Sequence, residues 1–236
     1  METAQKLHQA PSADRPLLGL TVLVVEDSRF ASEAMRLLCL RSGARIRRAD
    51  CLRSAHRHLQ VYRPSVVIVD LGLPDGSGAD LITELTSAMP RVSVVLGLSG
   101  DDGAKARALG AGADGFIAKP VESLAQFHTA LLRHLPPDRQ VAQQRPVTQD
   151  MVHPDRIAFR DDMAHLAEVL SKNLEDTTLD YLAQFLGGLA RSARDQELIS
   201  AAVALAMSRK EGRATRSDVA RIAGLVQERL TDRAAI

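Results

Sequence analysis

The stretch Val66-Val67-Ile68-Val69-Asp70 constrains this chain more than any other. Four β-branched apolar residues on successive positions leave no polar face. The run therefore predicts a strand covered on both sides, as in a parallel sheet flanked by helices. Leu71-Gly72-Leu73-Pro74-Asp75-Gly76 follows as turn chemistry. Asp70 is then delivered to the C-terminal edge of the sheet, where open α/β sheets bind their ligands.

The same grammar repeats on either side. Thr21 to Val25 is a second buried-strand pattern, ending in Glu26-Asp27, and Ser28 can cap a helix carrying Phe30, Ala34, Leu37, Leu38 and Leu40. Ala44 to Ala49 is a weaker strand, interrupted by Arg45, Arg47 and Arg48, and a helix follows from about Leu52 to Tyr62. After Asp70, Ser77 to Met89 has helical spacing. Arg91 to Ser99 reads as a strand, Asp101 to Leu109 as a short helix, Gly115 to Pro120 as a fifth strand and Glu122 to Leu135 as a fifth helix. Strands alternating with helices in this way predict an α/β fold, a (βα)5 doubly wound parallel sheet. Residues 1–18 read as a disordered lead-in, 19–135 as this domain, 136–150 as a Gln-, Pro- and Arg-rich linker, and 151–236 as an all-α helical bundle.

Composition narrows the function classes. A net charge of +1 gives no global attraction to nucleic acid or anionic membrane. No apolar run approaches the roughly 20 residues needed to span a bilayer, and Met1 to Pro16 lacks the apolar core of a signal peptide. Cys39 and Cys51 have no CxxC or Cys/His ligand spacing, so a reduced, cytoplasmic protein without structural metal is expected. The arginines between Arg41 and Arg57 scatter over different faces with no interleaved aromatics, as in a solvated surface.

Four of the five strands end in polar residues: Glu26 and Asp27, Asp70, Ser99, and Lys119. A doubly wound sheet brings these edges to one crevice. Packed carboxylates repel one another and need raised pKa values or a cation, and an all-oxygen site with room for water suits Mg²⁺. Asp70 can then act as a nucleophile toward a phosphoryl group, with Lys119 neutralising the transferring oxygens and the Ser99 hydroxyl donating to one of them. Gly100 leaves the approach to Asp70 open, and Asp101 is read first as the cap of the following helix.

At these residues the chain resembles the receiver domain of two-component response regulators, over about residues 20 to 135. The acid pair Glu26-Asp27, the acceptor Asp70, the hydroxyl of Ser99 and the Lys119-Pro120 dipeptide fall in the family's order and spacing. The resemblance implies a flavodoxin-like fold and a metal held by Glu26, Asp27, Asp70 and the Gly72 carbonyl. It implies Phe116 as an aromatic switch that follows Ser99, and a sensor histidine kinase or histidine phosphotransfer protein as the donor. It makes the chain a phospho-accepting signalling protein, which catalyses only its own phosphoryl transfer and autodephosphorylation.

Residues 151–236 carry four helical stripes. Met163, Leu166, Leu170 and Leu174 form the first. Leu179, Leu182, Leu186, Leu189 and Ala193 form the second, capped by Thr177 or Thr178. Asp195 can cap the third and Ser217 the fourth. Gly187-Gly188 within the second allows a close crossing or marks a kink. The apolar faces are wide for so small a unit, so a homodimer or a protein partner is expected through this half, the plainer alternative being a monomeric bundle that fills its own core. The alternative is a transcription factor with an atypical helical DNA-binding domain. Against it, 12 Arg and Lys face 13 Asp and Glu here, a balance of −1, and the last stripe runs unbroken through Gly224. His153 and His165 lack the surroundings of a catalytic or phosphotransfer histidine.

Overall fold

The computed structural model describes residues 11–101, 103–139, 150–172 and 174–231. Its first half runs β1 (Thr21–Val25), α1 (Arg29–Arg41), β2 (Arg45–Ala49), α2 (Leu52–Val61), β3 (Val66–Asp70), β4 (Gly72–Leu73), β5 (Gly76–Ser77), α3 (Gly78–Ser87), β6 (Val94–Ser99), α4 (Ala104–Gly110), β7 (Gly115–Ala118) and α5 (Leu124–Leu132). β4 and β5 form a small antiparallel pair in the turn after β3. The other five strands make one parallel sheet in the order β2-β1-β3-β6-β7.

Side-chain alternation builds the two layers. Val22, Val24, Val66, Ile68, Val94 and Leu96 pack under α1 and α5 with Met35, Leu38, Phe127 and Leu131. Leu23, Val25, Val67, Val69 and Val95 point the other way, onto Ala55, Leu81, Ile82, Leu85 and Ala108 of α2, α3 and α4. Each fully buried aliphatic side chain of this kind contributes about 1.5–3 kcal/mol. β2 takes the edge, which accommodates its exposed arginines. The strand order reverses direction between β1 and β3, and that switch opens a crevice beyond their C-terminal ends.

Several expected boundaries move. Residues 1–10 of the expected lead-in and 140–149 of the expected linker lie outside the described residues. Leu17, assigned to the lead-in, is fully buried in the α1/α5 core, and its N–H donates to the Ser42 carbonyl at 2.9 Å. Leu17-Leu18, between Pro16 and Gly19, is too short an apolar run to show a period. Leu17→Ala is expected to cost about 2–5 kcal/mol; a urea midpoint unchanged from the parent would show that this segment is not part of the core. Val152 is likewise buried in the same core, and Ser123 pairs with Met151. α4 begins at Ala104 after Gly103 at φ +78°, so Asp101 is not its cap. Asp75, in the turn after β3, instead caps α2 from a distance by accepting from the Leu52 and Arg53 N–H groups.

The second half is helical: α6 (Arg156–Leu170), α7 (Asp176–Ala193), α8 (Gln196–Lys210) and α9 (Arg216–Thr231). Leu166, Leu182, Leu186, Leu198, Leu205, Ile222 and Val226 share a core. Asp195 caps α8 as expected, through the Glu197 and Leu198 N–H groups. Ser217 lies inside α9 rather than capping it, and α7 starts before Thr177, so neither threonine is its cap. α9 is one helix through Gly224. The apolar faces that suggested a second copy meet one another across α6 to α9; α6 and α7 also pack on α1, where Phe30 lies edge-on to Phe159 with ring centres 5.8 Å apart. None of the described helices is long and apolar enough to cross a membrane.

Candidate functional site

β1 and β3, the two strands at the switch, deliver Glu26, Asp27 and Asp70 to one point. One carboxylate oxygen from each lies within 4.8 Å of the others. β6 adds Ser99, and β7 is followed by Lys119, whose N–H donates to the Ser99 carbonyl at 2.9 Å. The Lys119 Nζ stands 2.7 Å from Glu26 Oε2 and 2.7 Å from Asp70 Oδ2. Glu26, Asp70 and Ser99 are all buried, and the lysine side chain is 5% exposed.

Three carboxylates around one ammonium leave an excess of buried negative charge. Burial is the largest influence on Glu26 and pushes its carboxyl well up, against the pull of Lys119. Burial, then the neighbouring Asp70, pushes Asp27 up to about 7. Burial alone would lower the Lys119 ammonium, but Asp70 and Glu26 outweigh it and hold it above its ordinary value. An all-oxygen set with surplus charge is the donor chemistry that suits a hard divalent cation. Gly72 borders the same pocket, its N–H directed at Asp70 Oδ1 at 3.3 Å. Phe116 is half-buried on β7 against Gly97, where an added Cβ would stand 3.3 Å from the ring. All seven residues expected at the site thus converge on it or, for Phe116, lie on the strand leading to it.

The helical half supplies what sequence reasoning missed. α7 lies across the crevice, and the remaining cavity is about 10 Å³, lined by Asp27, Asp70, Ser99, Lys119, Gln184 and Gly188, among others. That is room for about one water. The Tyr181 hydroxyl donates to Asp27 Oδ2 at 2.8 Å. The Gln184 carboxamide lies so close to Gly72 that a Cβ there would overlap it, and a Cβ on Gly188 would touch Lys119 Nζ at 3.6 Å. Asp162 of α6 is buried at the start of α1, accepting from the Ser28 hydroxyl at 2.8 Å and from the Arg29 and Phe30 N–H groups at 2.8 and 3.0 Å. Of the Gly187-Gly188 pair singled out in the sequence, Gly188 lies against the site and Gly187 faces Arg191 of its own helix and Ala202 of α8.

The family model for the response regulator receiver domain matches residues 22–131. Residues 22–131 are a response regulator receiver domain. The KDP operon transcriptional regulatory protein KdpE of Escherichia coli is 36% identical over 118 residues, 48% of this chain and 52% of that protein. The virulence transcriptional regulatory protein PhoP of Salmonella typhimurium is 33% identical over 118 residues, with the same coverage of both chains. The chain therefore spans about half the length of these curated relatives. Among solved structures, the signal receiver domain of a signal transduction histidine kinase from Syntrophus aciditrophicus is 26% identical, covering 55% of this chain and 98% of that one, with a TM-score of 0.46. The receiver match ends at 131 and does not reach α6 to α9.

Proposed function

We propose that this chain is a cytoplasmic response regulator that accepts a phosphoryl group on Asp70 from a histidine kinase or a histidine phosphotransfer protein. The observation that carries this reading is Lys119 Nζ at 2.7 Å from Asp70 Oδ2, inside a cluster of three carboxylates at the sheet's switch point. An Asp70 oxygen attacks the phosphorus of a phosphohistidine. The P–N bond breaks with its electron pair retained by the imidazole nitrogen, and an acyl phosphate remains on Asp70. Lys119, freed from one carboxylate, pairs with a phosphoryl oxygen, and the Ser99 hydroxyl donates to another. Glu26, Asp27, Asp70 and the Gly72 carbonyl would hold Mg²⁺, which supplies positive charge against the phosphoryl oxygens. Ser99 turning toward the phosphoryl group leaves space that Phe116 follows into. The chain is then a signalling protein whose only chemistry is on its own aspartate.

The test is mass spectrometry of the full chain after incubation with acetyl phosphate and Mg²⁺. One added phosphoryl group is expected, on the peptide carrying Asp70, and Asp70→Asn is expected to remove it entirely. Labelling that persists in the variant would overturn the assignment.

The output is carried by 151–236 through self-association or contact with a protein partner, on helices whose shared apolar core takes in Phe30 of the receiver. A transcriptional output is the second reading, favoured by the names of KdpE and PhoP. Retention of the full chain on DNA that falls steeply with salt would support it.

A further inference from the structure

The residues of α6 and α7 that face the receiver are not those of a passive neighbour. They fill the space a phosphodonor needs, and they lie against Asp27, Gly72 and Lys119 at once. We propose that the helical half is an intramolecular ligand of the phosphoacceptor face, so that its docking and phosphoryl transfer to Asp70 exclude one another. This rests on Asp70 being the phosphoacceptor.

Three observations from different parts of the contact converge. The first is space. With α7 in place, Asp70 is 6% exposed and the cavity beside it, at about 10 Å³, holds about one water. A phosphoryl group with the donor still attached does not fit. The receiver itself leaves this approach open, because Gly100 follows Ser99; it is Arg191 of α7 that closes it, with its side chain 3.2 Å from where a Gly100 Cβ would be. Arg191 is held there by Asp101 at 3.5 Å.

The second is competition for a functional atom. Tyr181 donates to Asp27 Oδ2, the oxygen that faces the helical half. A cation drawing on that oxygen must share or displace the hydrogen bond. α7 itself offers the site Gln184, Phe185 and Gly188, none of which can carry or donate a phosphoryl group. The helix is therefore a competitor and not a donor.

The third is the latch. The start of α1 directs its Arg29 and Phe30 N–H groups at Asp162, and the Ser28 hydroxyl joins them. A carboxylate at a helix N-terminus is favoured by both the free N–H groups and the helix dipole. Here it comes from another helix more than 130 residues on, so the bond forms only when the two halves are docked. Gly188 completes the fit, since a side chain there would stand between α7 and the site. Gly188 has no Cβ to meet Lys119, and a residue larger than alanine would enter the pocket.

The experiment uses the full chain and acetyl phosphate with Mg²⁺, following the rate at which the acyl phosphate forms on Asp70. Asp162→Ala removes the latch, and Gly188→Leu wedges the contact with a better helix former. Both variants are expected to be labelled faster than the parent, Asp162→Ala by about tenfold or more, the factor expected from losing one hydrogen bond to a charged group. Equal rates in all three proteins would overturn the proposal. Absence of the acyl phosphate from all three would instead overturn the reading of Asp70 on which it rests. Hydrogen exchange gives a readout independent of rate. Beryllofluoride with Mg²⁺ is expected to strip protection from the Arg29 and Phe30 amides in the parent and not in Asp70→Asn. Protection unchanged by the mimic in a parent that binds it would also overturn mutual exclusion.

Discussion

Lys119→Met is expected to destabilise the fold by about 3–5 kcal/mol in metal-free buffer. The lysine is the sole cation the described residues place among Glu26, Asp27 and Asp70, and it bonds two of them at 2.7 Å. Methionine fills most of the volume, so the loss is electrostatic: the Glu26 carboxylate, with its side chain fully buried, is left without its counterion. Mg²⁺ is expected to restore much of the loss, because a divalent cation at the same carboxylates replaces the missing charge. Thermal unfolding of parent and variant, each in EDTA and in Mg²⁺, measures both effects. A variant within about 1 kcal/mol of the parent in EDTA would mean that solvent screens the cluster far better than its burial implies. Phosphoryl transfer should fall as well, but the stability readout stands apart from it.

The second large effect is at a position with no chemistry. Gly78 opens α3 directly behind the end of β3, and a Cβ there would stand 1.9 Å from the Asp70 carbonyl oxygen and 2.9 Å from the Leu71 Cα. Both are backbone atoms that cannot rotate aside. Gly78→Ala must therefore push α3 off the strand end or shift Asp70 itself, at a cost at or above the top of the usual 1–3 kcal/mol for overpacking. Gly224 is the control. It lies inside α9 with nothing within 4 Å of an added Cβ, so Gly224→Ala is expected to stabilise by about 0.5–1 kcal/mol. Urea midpoints of opposite sign are the expected result. Two glycines of equal helix propensity would then differ only by what lies beyond the missing Cβ.

The lysine and the carboxylates were legible in the sequence because each ends a strand that announces itself. Val66 to Val69 and Thr21 to Val25 are apolar on both faces, so a buried parallel sheet was the only economical home for them, and the polar residue at each strand end had to face the same edge. The family's spacing then supplied Gly72 and Phe116, which carry no signal of their own. Caps were legible where donor and acceptor are neighbours, as with Ser28 at α1 and Asp195 at α8. They were misread where the acceptor is remote. Asp75 caps α2 across about twenty residues, and Asp101 and Ser217 sit in plausible positions that the backbone does not use.

The helical half shows the boundary most clearly. Its stripes at Leu182, Leu186 and Leu189 predicted helices with a wide apolar face, and that face exists. What it covers could not be read from it, since an apolar stripe is equally satisfied by a second copy, a partner or the neighbouring helices, and here Leu198, Leu205, Ile222 and Val226 of α8 and α9 cover it. Asp162 and Tyr181 look like ordinary helix-surface residues in the sequence. They become site residues only because α6 and α7 are laid over the start of α1 and the mouth of the sheet. Sequence alone determined the (βα)5 receiver and its acidic pocket, through local periodicity and strand ends that topology forces together. Only the tertiary structure decided that the pocket is closed by the chain's own α7, because contacts between distant segments depend on complementary surfaces and leave no period along the chain.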